Sequence, residues 1–378
     1  MAARARVTPD RGVGTAELIA ALSTALDTAE GYEQGHAIET CFISLRLAEV
    51  LQLPGSDRQD LFYAALLKDA GSAWNAAGMA QTLGTSDIEQ KRDLALLDPR
   101  RPFAMTGFTL RHVRAGRGLE RVRRLPGLMV SAAAWRKALV EDRAERGAEL
   151  AHRLGLPNAV SEGIHALHER WDGRGEPLGL HGPAIPLAGR IMAVAEGAAL
   201  YVRRGGPRAA DRMLRRRRKR WYDPEIVDLL LGMARLGLWR ELRAPDLLAR
   251  TVALEPEGTA RLSGAAEIDR IALAFAEVVD AKSPYTDGHS VRVGDLSALM
   301  ALHMGLADSA VTDVRRGGLL HDLGKLGVPN TILDKRGPIT PQERALVVRH
   351  PQRGFEVLSR VPILSTAAEI ALCHHERV

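Results

Sequence analysis

The sequence predicts an all-α protein. Three observations lead there: apolar residues recur at three- and four-residue steps, strand-like alternation is nearly absent, and Ala, Leu, Arg and Glu abound while aromatic residues make up only 4%. "TAELIAALSTALDTA", "TCFISLRLAEVLQL", "AEIDRIALAFAEVVDA", "VRVGDLSALMALHMGL" and "QERALVVRHPQRGFEVLSRV" each read as an amphipathic helix. Breaks rich in Pro and Gly separate the periodic segments: "LPGSD", "DPRRP", "RRGGP" and "EPEGTARLSG".

The 378 residues are enough for two or three domains, and 46% hydrophobic with 26% charged residues is a soluble globular balance. Cys41 and Cys373 cannot build a disulfide framework, which points to a reducing cytoplasm. The N-terminus carries arginines and then a short apolar stretch. Glu17 and Asp27 bracket that stretch and no small-residue cleavage site follows, which argues against a secretion signal. Residues 1–16 read as a disordered tail. No run reaches the ~18 uninterrupted apolar residues of a membrane span; Arg190 and Glu196 break "IPLAGRIMAVAEGAALYV". The expectation is a cytoplasmic protein with no membrane partner.

The net charge is +6, and much of the excess lies in "RMLRRRRKRW", Arg212 to Trp221. That block reads either as a phosphate-binding patch or as the solvated face of a helix. The second is the plainer reading in a chain rich in arginine throughout, so nucleic acid is not an expected partner.

The chain repeats itself. "QGHAIETCFISLRLAEVLQL" and "DGHSVRVGDLSALMALHMGL" both begin Gly-His and continue as a helix. His36 precedes Lys68 of "LLKDAG" by 32 positions, and His289 precedes His321 of "LLHDLG" by the same 32. "DRAERGAEL" matches "RHPQRGFEV" and pairs Arg143 with His350. A further 24 positions lead to Leu167 of "LHERW" and to His374 of "HHERV". The expected organisation is two tandem bundles: tail 1–16, first copy 17–254, linker 255–264 and second copy 265–378. The first copy carries an insertion between Gly71 and Arg143. The second stops in mid-motif and is expected to be incomplete.

The second copy gathers ligand-type residues: His289, His321, Asp322, His350, His374 and His375. Imidazoles with a carboxylate suit Fe, Mn, Ni, Co or Zn, and the absence of a thiolate set argues against a structural zinc. Adjacent residues on a regular helix diverge by about 100°. The His321-Asp322 and His374-His375 pairs therefore sit at helix ends or span two metals.

"HDLGK", "RHP", "HHER" and the first copy's "HERWDGRGEP" resemble the HD-GYP family of metal-dependent phosphohydrolases, a subclass of the HD superfamily. The resemblance is close over residues 263–378 and looser over about 30–240. It implies helical bundles holding two or three metals and hydrolysis of cyclic di-GMP or a related cyclic dinucleotide. It makes the six residues metal ligands, with Asp322 bridging two ions and Lys325 contacting a phosphate oxygen. Asp322 and Lys325 are then the catalytic pair. Tyr285, where some members carry a glutamate ligand, favours two divalent ions, Fe or Mn ahead of Ni, Co or Zn. In the first copy Lys68, Arg143 and Leu167 replace three histidines. Only His36, Asp69 and His168 remain, with Glu196 where the family has an aspartate and Gly175-Glu176-Pro177 for Gly-Tyr-Pro. That copy is expected to be metal-free and to serve as a regulatory or dimerising partner, a homodimer included. The competing readings are a regulatory nucleotide-sensing module of low turnover and a nucleic-acid-binding regulator.

Overall fold

The computed structural model describes residues 13–98, 103–113, 137–256 and 262–377. Its first half runs α1 (Thr15–Ala29), α2 (His36–Val50), α3 (Gly55–Leu67), α4 (Ala76–Leu83), α5 (Asp87–Leu96), α6 (Ala104–His112), α7 (137–153), α8 (Asn158–His165), α9 (Leu187–Gly205), α10 (Pro207–Arg217), α11 (Pro224–Arg235), α12 (Leu238–Glu241) and α13 (Leu247–Val252). The second half runs α14 (Ala265–Ala281), α15 (His289–His303), α16 (Asp308–Leu320), α17 (Asn330–Leu333), α18 (Pro341–Val347), α19 (His350–Leu358) and α20 (Ser365–Cys373). The chain is all-α, as predicted; among the described residues the sheet is one two-stranded antiparallel pairing of β1 (Val13–Gly14) with β2 (Leu262–Ser263).

That pairing joins the segment expected as a tail, 1–16, to the segment expected as a linker, 255–264. Residues 13–16, expected in a loose tail, form β1 and the first turn of α1, where Thr15 and Ala16 are buried. Residues 262–263, expected in the linker, hold β1, and Glu255 accepts a hydrogen bond of 2.9 Å from the Tyr63 hydroxyl. Pairing satisfies backbone groups that packing would otherwise strand. The remainder of the tail, residues 1–12, and residues 257–261 lie outside the described residues.

Helix α1 explains why the halves adhere. Leu18, Ile19, Leu22 and Leu26 are almost fully buried, and so are Ser23, Thr24 and Asp27 on its other sides. A helix buried all round needs neighbours on every face. α1 packs on α2 and α3 of the first half, and on α14, α19 and the 3-10 turn Leu323–Gly327 of the second. Its hydroxyls cause no polar deficit, because Ser23, Thr24 and Thr28 donate to the carbonyls of Ala20, Ala21 and Ala25 at 2.7–2.8 Å. The apolar core is accordingly continuous from Leu18 to Ala371.

The first-half insertion also reaches across. At the start of α5, Asp87 accepts from Lys282 Nζ at 3.1 Å and from the Asn330 backbone N–H at 2.7 Å, and both side chains of the ion pair are buried. Part of the insertion, residues 99–102 and 114–136, lies outside the described residues.

Candidate metal centre

The ligand-type residues of the second half stand at helix ends, where a chain can turn two successive side chains inward. His289 opens α15, and Asp280 secures that turn by accepting from the Ser290 backbone N–H at 2.9 Å and its hydroxyl at 2.6 Å. His321 caps α16, and Asp322 starts the 3-10 turn Leu323–Gly327. His350 begins α19, and His374 caps α20 with His375 following in the turn. Both adjacent pairs, His321-Asp322 and His374-His375, stand at helix ends.

Asp322 is the centre of this group. Its Oδ2 lies 3.2 Å from His321 Nε2, 3.8 Å from His289 Nε2 and 2.6 Å from Lys325 Nζ. Its Oδ1 lies 3.3 Å from His350 Nε2 and 3.8 Å from His374 Nε2. The His375 ring is 4.1 Å from that of His374 and 5.1 Å from that of His350. All six side chains thus come together, in two groups able to hold an ion: His289, His321 and Asp322, and His350, His374 and His375. Tyr285, by contrast, is 71% exposed.

Helix ends also orient the rings. His321, His350 and His374 each donate from Nδ1 to the carbonyl three residues earlier, Gly318, Val347 and Ala371, at 2.7 Å. The last carbonyls of a helix have no intrahelical partner, so an imidazole there finds an acceptor ready. When such a ring is neutral its proton sits on Nδ1 and Nε2 is bare, the tautomer a metal requires. His350 Nε2 and His374 Nε2 then face each other at 3.1 Å as two lone pairs, beside an Asp322 Oδ1 that receives no well-aligned hydrogen bond. Acceptors converging without a donor are a fit for a cation, and N and O donors without thiolate suit a divalent transition ion.

The electrostatics favour an ionised Asp322 and neutral His374 and His375. Burial alone would raise the Asp322 carboxyl, but His321, His350 and Lys325 hold it far below the usual carboxylate range. Burial lowers His374 to about 4, helped by the other imidazoles, and lowers His375 as well. Burial opposes a proton on His321, yet Asp322 outweighs it and raises that group.

The corresponding place in the first half is built differently. Lys68 Nζ lies against Asp69 and 2.9 Å from Glu196, while Arg143 binds Asp69 and, at 2.8 Å, Glu30. Two fixed cations therefore occupy the space between the carboxylates. Asp69 and Glu196 counter the burial of Lys68 and raise its pKa. Burial and Lys68 push His36 down to about 3; burial and Arg143 push His168 down to about 4. Neither ring nitrogen of His36 has a hydrogen-bond partner, and its ring packs 4.2 Å from that of Tyr32. Expecting Lys68 and Arg143 there from sequence was right in geometry. Glu30, Arg143's second carboxylate, was missed, since nothing in its local string marks it. Asp280 was missed although a signal existed: Asp27 and Asp280 both lie nine positions before their Gly-His histidine, and both accept from the first turn of the next helix.

A helical scaffold presenting a His-Asp pair among further histidines defines the HD-domain class, and the model of the HD domain matches residues 133–226 and 274–378. The chain belongs to this family, in its HD-GYP branch. It is 33% identical over 364 residues to the 3′3′-cGAMP-specific phosphodiesterase 3 of Vibrio cholerae, covering 96% of this chain and 79% of that one. It is 44% identical over 107 residues to a cyclic di-GMP phosphodiesterase of Thermotoga maritima, over 27% of this chain and 29% of that protein. The crystal structure of a cyclic GMP-AMP specific phosphodiesterase from Vibrio cholerae superimposes with a TM-score of 0.71 at 32% identity, covering 92% of this chain and 80% of that chain.

Proposed function

We propose that the chain is a metal-dependent phosphodiesterase that opens a phosphodiester of a cyclic dinucleotide, 3′3′-cGAMP or cyclic di-GMP. The observation that carries this is the buried Asp322 carboxylate, ringed by histidine Nε2 atoms whose Nδ1 atoms are tied to helix-end carbonyls. The names of the relatives supply the substrate class, with 3′3′-cGAMP first because that relative aligns along nearly the whole chain.

In this reading residues 265–378 form the catalytic unit and 17–254 a metal-free unit. His289, His321, Asp322, His350, His374 and His375 would hold two divalent ions, iron or manganese, with Asp322 between them. Such ions lower the pKa of water and grip the phosphoryl oxygens of an anionic ester that otherwise resists attack. The protein's own part is orientation and charge. The Nδ1 bonds lock the His321, His350 and His374 rings before substrate arrives, and Lys325, 2.6 Å from Asp322, is near enough to place its charge on a phosphate oxygen. In the first half Lys68 and Arg143 already neutralise Asp69 and Glu196, so a divalent ion gains nothing there.

The test is incubation with 3′3′-cGAMP or cyclic di-GMP and manganese or ferrous iron, resolving the linear product by chromatography. His321→Ala or Asp322→Ala should abolish both metal retention and product. Lys325→Ala should keep the metal and slow turnover. A protein that binds metal but hydrolyses neither dinucleotide would instead be a regulatory module.

A further inference from the structure

The arginine block that the sequence left between two readings lines a hollow. Arg212, Arg216, Arg217 and Arg220 surround a cavity of about 580 Å³, with Tyr201, Met213 and Trp221 among its walls and Asp98 its one acidic lining residue among the described residues. Arg217 and Trp221 also line a second cavity of about 230 Å³, which reaches Arg143, His168 and Glu196, the first-half counterpart of the metal centre. The two hollows share a wall, and the smaller one adjoins Arg143, one of the two cations that stand where a metal otherwise would.

Trp221 organises the cationic groups. The Arg217 guanidinium carbon lies 3.9 Å from its ring centroid and that of Arg170 lies 4.3 Å away. A guanidinium over an indole gains cation–π attraction, and the guanidinium fork can meet a phosphate with two parallel hydrogen bonds. Arg217 uses one N–H on the Tyr222 hydroxyl at 3.2 Å. Arg218 pairs with Asp228 on the outside, but Arg212, Arg216 and Arg220 have no carboxylate partner among the described residues. Like charges gathered round one concavity repel each other, an arrangement that an anion relieves. The hollow has the volume of a small-ligand site, and its concave form differs from the open stripe that tracks a nucleic-acid backbone.

We propose that this first-half hollow is a binding site for a phosphate-bearing small molecule of the nucleotide class. Arg212, Arg216, Arg217 and Arg220 take the phosphate, and Tyr201, Met213 and Trp221 form the apolar wall for the base. The ligand is bound and not hydrolysed, because Lys68 and Arg143 stand where the second half gathers its ligand set. This inference does not rest on the phosphodiesterase reading and holds for a chain of either activity.

The experiment is isothermal titration calorimetry on the full chain stripped of metal with EDTA, which disables the second-half centre. The probes are GMP, inorganic phosphate and guanosine. GMP should bind at one site, phosphate should compete more weakly, and guanosine should not bind. The double variant R216A/R220A, altered only at exposed side chains, should keep its circular dichroism and weaken GMP at least tenfold, while His321→Ala leaves GMP binding unchanged. Equal binding of GMP to R216A/R220A, or its loss in His321→Ala, overturns the assignment. Phosphate binding as tightly as GMP reduces the site to a free-anion site and overturns the nucleotide class. A DNA duplex that binds through these arginines while GMP does not overturns it in favour of nucleic acid.

Discussion

Gly324 and Gly71 allow the candidate centre to be tested with a built-in control. A Cβ added at Gly324 would meet the carbonyl oxygen of His350 at 2.0 Å and the Gly354 nitrogen at 2.9 Å. A Cβ added at Gly71 would meet the carbonyl oxygen of Arg143 at 2.0 Å and the Gly147 nitrogen at 2.8 Å. In both halves the obstacle is backbone, so no side chain can swing aside. Ordinary contact begins near 3.4 Å, which means the facing helix must retreat by about 1.4 Å. Overpacking of this kind costs about 1–3 kcal/mol, and the costs at the two sites should match. Their functional consequences should not. In Gly324→Ala the retreat carries His350, whose Nε2 lies 3.3 Å from Asp322. A misplacement of about 1 Å at a reacting centre can lower turnover on the order of a hundredfold. Gly71→Ala carries Arg143, an arginine long enough to re-reach Asp69. Urea unfolding, bound metal by mass spectrometry and dinucleotide turnover on the same three proteins give the answer. Gly324→Ala with wild-type metal content and turnover would sink the reasoning, as would equal loss of metal in a folded Gly71→Ala.

Three further outcomes follow from the contacts. Asp87→Ala strands the buried Lys282 ammonium and the Asn330 N–H, and removal of one partner from a buried pair should cost about 3–5 kcal/mol in urea unfolding; a change below about 1 kcal/mol would mean that the pair does not tie the halves together. His36 is held near 3 in the folded chain against 6.5 unfolded, so the unfolded state binds the extra proton between those values. Stability from this group is therefore present above about pH 6.5 and is lost as pH falls towards 3, and His36→Gln should flatten the stability profile between pH 6 and 4 by about 1.4 kcal/mol per pH unit. An unchanged slope would show that His36 titrates normally. Treatment with EDTA should release metal from the wild type with loss of turnover, restored by manganese or ferrous iron, while Lys325→Ala should recover its metal without recovering full rate; full recovery of rate would remove Lys325 from catalysis.

The sequence by itself determined the fold class and picked out the candidate ligand set. Helical period is a local property, and the six second-half residues declare themselves by chemical type and by spacings that the first half repeats with Lys68 and Arg143 substituted. Tertiary structure alone decided what each of those residues faces. That α1 belongs to the core of both halves follows from packing against α3 and α19 together, which no window of sequence contains. Asp87 and Asn330 stand 243 positions apart, yet they share a hydrogen bond because the insertion folds back on the second half. The Nδ1 bonds that aim the histidines depend on which carbonyls a helix leaves free at its end. The arginine block became a hollow only when Trp221 and Tyr201 closed round it. Periodicity and ligand chemistry are written residue by residue, whereas burial, charge pairing and concavity are relations between distant residues and exist only once the chain has packed.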